Sequence, residues 1–164
     1  MLCLTGLSAD IRDDLMSRLP RQRKTQREKL AILVSTMLTV RSGSVMELGH
    51  GLPLSTTDSL SRFQWIKRFL RNELVDVDEV MGSYSREILQ RVYESGQQPV
   101  LIIDQSTISR LERHELVMVA LHVGKRAIPI AWRVYKASGS LGWREQSEVL
   151  EVARSFLPDG CNPI

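Results

Sequence analysis

Residues 97–110 read QQPVLIIDQSTISR. After Pro99 come four apolar residues, Val100 to Ile103; the run stops at Asp104, and hydroxyls follow at Ser106 and Thr107. A short, continuous apolar run predicts a strand at the buried centre of a sheet. Why such a strand should deliver a carboxylate has two answers. The local one is an Asp whose side chain accepts from N–H groups of the following QST turn. The chemical one is a metal ligand, because a rigid strand fixes an oxygen donor in place. Ser106 and Thr107 then orient the carboxylate or cap the turn.

Downstream the pattern remains β. The runs ELVMVALHVG and RAIPIAWRVYK are separated only by Gly124-Lys125, a hairpin in which Gly takes positive φ. Pro129 cannot donate to a ladder, which puts its strand at an edge or a bulge. After ASGSLG, the segment WREQSEVLEVARSFLP gathers Val149, Leu150, Ala153, Phe156 and Leu157 on one side of a helix, with Glu145 and Glu148 on the polar side. Trp132 and Trp143 read as packing residues, and His114 and Glu115 as solvated residues where a loop enters a strand. The order is β-β-β-α. Its first strand is expected to have a neighbour on each side, and the meander supplies only one, so the sheet reads as incomplete.

Upstream the signals are helical. SADIRDDLMSRL opens on Ser8 as a cap and stops before Pro20. Thr25 and Glu28 have capping-box spacing, with Leu30, Leu33, Val34, Met37 and Leu38 as the apolar stripe and Ser42-Gly43-Ser44 as the stop. Ser44 and Glu47 open the short helix VMELGHG. Ser55 and Asp58 introduce a helix from about Thr57 to Asn72, striped by Leu60, Phe63, Ile66 and Leu70. DVDEVMGSYSREILQRVYESG is a further helix that ends at Gly96.

Charge is divided unevenly. Residues 1–72 hold 12 Lys/Arg and 6 Asp/Glu, whereas 73–164 hold 10 and 13. A basic front half suits a polyanion. Short helix, turn and basic helix are compatible with a helix-turn-helix. In that reading Arg21, Arg23, Lys24, Arg62, Lys67, Arg68 and Arg71 neutralise phosphates, and Trp65 packs on a sugar or base. A solvated basic face on an ordinary amphipathic helix is the alternative. Cys3 and Cys161 have no metal-ligand spacing and fit a reducing compartment. The longest apolar run, LAILVSTMLTV, falls short of the about 20 residues that span a bilayer. With no secretory pattern at the start, the expected location is the cytoplasm, with no membrane partner.

In order, PVLIIDQSTI, the return as IPIAWRVYKASGS and the helix with its exit, REQSEVLEVARSFLPDG, resemble the opening of the catalytic domain of IS4-like insertion-sequence transposases. The segment REKLAILVSTMLTVRSGSVMELGHGLPLSTTDSLSRFQWIKRFLRNELVD is similar to the helical region those enzymes place before it. The resemblance implies an RNase H-like fold with a DDE triad of acids, DNA strand cleavage and transfer, and two Mg²⁺ ions about 3.5–4 Å apart. Asp104 matches the first catalytic, metal-binding Asp. The family's second Asp and its Glu have no counterpart here, and Asp159 lies in a turn. One carboxylate cannot fix two ions that demand octahedral oxygen ligation, so the chain alone is expected to be inactive. Implied partners are insertion-sequence DNA and either a second copy or a full-length transposase.

The expected architecture is therefore α+β: a basic helical region over 1–95, then an incomplete RNase H-like β-β-β-α unit over 96–164. Two functions stand side by side. One is a transposase portion that contributes Asp104; the other is a non-catalytic DNA-binding form acting as regulator or inhibitor. An unrelated α+β regulator is the third reading.

Overall fold

The computed structural model describes residues 2–55, 58–109 and 111–164, with side chains from residue 6 onward. Among them are six helices and three strands: α1 (Leu2–Arg18), α2 (Lys24–Val40), α3 (Val45–Gly51), α4 (Ser59–Leu70), α5 (Val77–Glu94), β1 (Leu101–Ser109), β2 (His114–Val123), β3 (Arg126–Lys136) and α6 (Trp143–Arg154). The class is α+β, helices first. Thr57, the expected start of the fourth helix, lies outside the described residues. The chain forms two compact units, one up to Val77 and one over Asp78–Ile164. The helix α5, grouped above with the front half on its pattern, belongs to the second: Leu89 is fully buried with Val117, Val119 and Leu121 of the sheet.

In the first unit the core is Leu33, Leu48, Leu52, Ile66 and Phe69. Several local expectations give way. α1 begins at Leu2, so Ser8 lies inside it rather than capping it. The residue at the N-cap of α2 is Arg23, without a side-chain cap, and Thr25 sits too far inside to serve. The α2 stripe is rotated as well. Met37 and Leu38 are exposed (40% and 59%), while Ser35 and Thr36 are fully buried. Both hydroxyls donate back to the Ile32 carbonyl, at 3.0 and 2.7 Å, so they enter the interior already satisfied. Arg41, with φ 53°, ends α2 in the left-handed conformation, one residue before the Ser42-Gly43-Ser44 stop. Ser44 is at the N-cap of α3 but makes no side-chain cap bond.

Asp58 does cap α4, accepting from the N–H groups of Leu60 and Ser61 at 3.2 and 2.9 Å. On α4 the buried residues are Ile66 and Phe69; Leu60 and Leu70 are exposed.

The second unit is a meander of order β1-β2-β3, antiparallel throughout. Gly124 (φ 60°) turns the β2–β3 hairpin, and the register shifts where Ala120 meets Pro129, a bulge that accommodates the missing donor. Val117, Val119 and Leu121 point to the face covered by α5 and α6, where Val149, Ala153 and Phe156 pack as expected. Arg133 clamps this arrangement from β3. Its guanidinium is bidentate to Asp78 on α5, at 2.9 and 2.5 Å, and Nε lies 3.7 Å from Glu148 on α6. Trp143, expected to pack, is 73% exposed.

The deciding strand differs from its sequence pattern. β1 runs on to Ser109, so Asp104 is in mid-strand rather than at its end. It is also an edge strand, and Ile102 and Ile103 are each 40% exposed. At its start, Leu101 N–H donates to the Ile164 carbonyl (2.8 Å), and Ile164 N–H donates to the Pro99 carbonyl (3.0 Å). That exchange is one rung of a parallel ladder, with Ile164 opposite Val100 on the outer edge of β1.

Candidate functional site

Asp104 is paired across the sheet with Met118. Side chains alternate along a strand, so Asp104 lies on the face opposite the core, with Ile102 and Ser106 beside it on β1. It is exposed, and the Ser106 hydroxyl donates to its Oδ2 at 3.3 Å. The carboxylate is thus orientated by a hydroxyl two residues on, as the spacing suggested, and is not tied into a turn. Thr107 does something else: it points to the other face and donates to the Glu115 carboxylate at 3.0 and 3.2 Å.

Glu115, read as a solvated junction residue, is 4% exposed and sits inside β2. Its neighbour Gln105 is a knot. The amide nitrogen donates to the Gly139 carbonyl (2.9 Å) and reaches Glu115 (3.4 Å), and the amide oxygen accepts from Leu141 N–H (2.9 Å). The sequence signal for this pair was the polar alternation of Gln105 and Thr107, two residues apart on one face.

The donor set at Asp104 does not by itself fit a pair of Mg²⁺ ions. The small cleft at the edge of β1, lined by Ile103, Asp104, Gln105, Val117 and Gln146, lies on the α6 side of the sheet, the face opposite the Asp104 carboxylate. Among the described residues no three His, Cys, Asp or Glu side chains are grouped to hold a metal. No metal-dependent step follows from these residues.

Arg21, Arg23, Lys24, Arg68 and Arg71 are exposed, with Lys24 Nζ 3.9 Å from Glu28 Oε1 and Arg68 Nε donating to the Gln64 carbonyl at 3.3 Å. Arg62 is half-buried and its guanidinium donates to the carbonyls of His50 (3.2 Å) and Leu54 (3.3 Å), tying the α3–α4 connection to α4. Lys67 Nζ lies 5.1 Å from the centre of the Phe63 ring. Trp65 is half-buried and stacks on Phe69, centroids 6.1 Å apart and planes at 17°. The short helix α3 ends at Gly51 and the basic helix α4 begins at Ser59. Asp58, the cap of this helix, has its carboxyl held below the usual range by the Ser61 hydroxyl and then by the Ser61 and Leu60 N–H groups.

No single described helix is long and apolar enough to cross a membrane, although α2 and α3 pass that test together as a pair bent by 99°. No family model matches the chain, and no curated protein or solved structure is detectably similar to it.

Proposed function

We propose that this chain acts in DNA transposition, as an IS4-like insertion-sequence transposase unit. Its basic helices bind insertion-sequence DNA, and its sheet is the opening of an RNase H-like domain that offers Asp104 as the first acid of a DDE site. The observation that supports this most is the course of the backbone around β1. An antiparallel meander and a helix bring the chain back to the outer edge of β1 in parallel register, at Ile164, while Asp104 stands exposed midway along β1. In this reading the second Asp, the Glu and the Mg²⁺ they hold with Asp104 come from outside the described residues.

That no other acids group with Asp104 among the described residues favours a second reading: DNA binding without catalysis, as a regulator or inhibitor of a complete transposase. The two share their DNA-binding half, and a first experiment addresses it. Affinity for duplex DNA is measured by fluorescence anisotropy across a salt series, for the protein and for the Lys67→Gln/Arg68→Gln/Arg71→Gln variant. Each phosphate contact contributes about 0.9 to the slope of log K against log salt, so the variant is expected to lose about 2–3 from it. An unchanged slope removes α4 from the interface, and binding indifferent to salt removes DNA altogether. The transposase reading has its own test in the DNA that follows the Ile164 codon. It requires, in some frame, a strand ending in Asp and a later helix carrying a Glu; their absence leaves the non-catalytic reading.

A further inference from the structure

Between α2 and α4 lies a pocket of about 260 Å³ lined by Lys29, Trp65, Arg68, Phe69 and Asn72. Lys29 is exposed on α2 and is absent from the phosphate contacts inferred from sequence. The lining combines two cations, an indole and a primary amide, with no carboxylate. Arg68 Nε is held by the Gln64 carbonyl at 3.3 Å, which steadies the guanidinium without neutralising it. Phe69 is 6% exposed and stacks on the indole, so the ring is backed by the core.

From this lining we infer that the pocket takes one unpaired nucleotide of a DNA strand. The base stacks on Trp65, its phosphate lies between Lys29 and Arg68, and the Asn72 amide is available to a base edge. The inference rests on the DNA-binding reading above and narrows it. In a duplex the flat faces of the bases are covered by their neighbours, so the indole could meet only sugar. An unpaired base offers a π-face to an aromatic platform, and cations beside that platform follow the backbone. A strand opened or left unpaired at a DNA end supplies that ligand.

The test compares three probes: a blunt duplex, the same duplex with an unpaired 3′ extension carrying 2-aminopurine, and a free deoxymononucleotide as competitor. The readouts are the ratio of extended to blunt affinity and the quenching of 2-aminopurine. The protein is expected to prefer the extension and to quench the probe. Trp65→Leu should lower the ratio about 5- to 150-fold, the loss of one stacked base. Lys29→Gln, an exposed change that leaves the core intact, should lower the ratio with the thermal midpoint unchanged.

Blunt-duplex binding with a ratio near one, or a ratio that survives both substitutions, overturns the pocket and leaves the DNA-binding reading standing. Failure to bind any of the DNA probes overturns both. A mononucleotide that competes as well as the extended strand overturns the strand as the source of the ligand.

Discussion

Tyr135 stands on β3 with its hydroxyl 2.9 Å from Glu148 Oε2 and 3.1 Å from the Glu145 carbonyl. Burial is the first reason its ionisation is opposed, and the hydrogen bond to Glu148 the second; its pKa is pushed up from 10.0 to about 12. A phenol that resists losing its proton in the fold contributes stability that is complete below the ordinary value near 10. That stability drains away as pH rises through about 12. Tyrosinate absorbance followed to high pH should therefore show one of the three tyrosines titrating near 12, and that step should vanish in Tyr135→Phe. Absence of a step near 12 would mean the Glu148 contact does not persist in solution. A contact of this kind is invisible in the sequence, because residues 135 and 148 meet only after α6 has docked on the sheet.

At the scale of elements, two glycines set how closely helices approach. A methyl on Gly51 at the end of α3 would come within 2.5 Å of Val40 Cγ1 on α2. One on Gly82 of α5 would meet Phe156 Cε1, just past α6, at 2.8 Å. Val40 is stiff at χ1 and Phe156 is 5% exposed, so neither neighbour can give way cheaply. Gly51→Ala and Gly82→Ala should each destabilise by about 1–3 kcal/mol, read from the denaturant midpoint. Gly43→Ala, where a methyl meets nothing within 4 Å, is the control. Equal midpoints for all three would show that the packing relaxes freely.

What was legible at this scale was local chemistry: the Gly124 hairpin, the Pro129 bulge, the Asp58 cap and the buried side of α6. The buried side of α2 was not, because Ser35 and Thr36 hide their hydroxyls against the helix's own backbone and so pack as apolar residues do. The place of β1 was not either. An apolar run records that a strand has neighbours without saying on which edge or face. For the candidate site, Asp104 and its Ser106 partner could be read from spacing. The lining that Lys29 and Asn72 give to Trp65 required the packing of α2 on α4.

Over the whole molecule, charge and exposed edges decide how copies behave toward each other. Residues 1–77 carry 12 Lys/Arg and 8 Asp/Glu, and residues 78–164 carry 10 and 11. The sheet unit is therefore close to neutral and has little electrostatic protection against self-association. Just before β1, the Val100 carbonyl accepts from His122 of β2, whereas the N–H of Leu101 donates outward to the Ile164 carbonyl. By alternation, the backbone groups of Ile103, Gln105 and Thr107 also point outward, and beyond Leu101 no described residue pairs with them. Native edges are usually blunted by charge, Pro or a covering segment; this one carries Asp104 on its outer face but also exposed Ile102 and Ile108, with Ile103 half-exposed on the other face. At rising concentration, sedimentation should report a weight-average mass climbing above the 18.7 kDa of the chain. Ile103→Lys puts a charge on that edge at a side chain already 40% exposed, and should hold the mass near the monomer value without lowering the thermal midpoint. A wild-type mass constant with concentration would show that the edge is closed in solution. A climb that Ile103→Lys leaves untouched would move the contact elsewhere, to the exposed Met37 and Leu38 of α2.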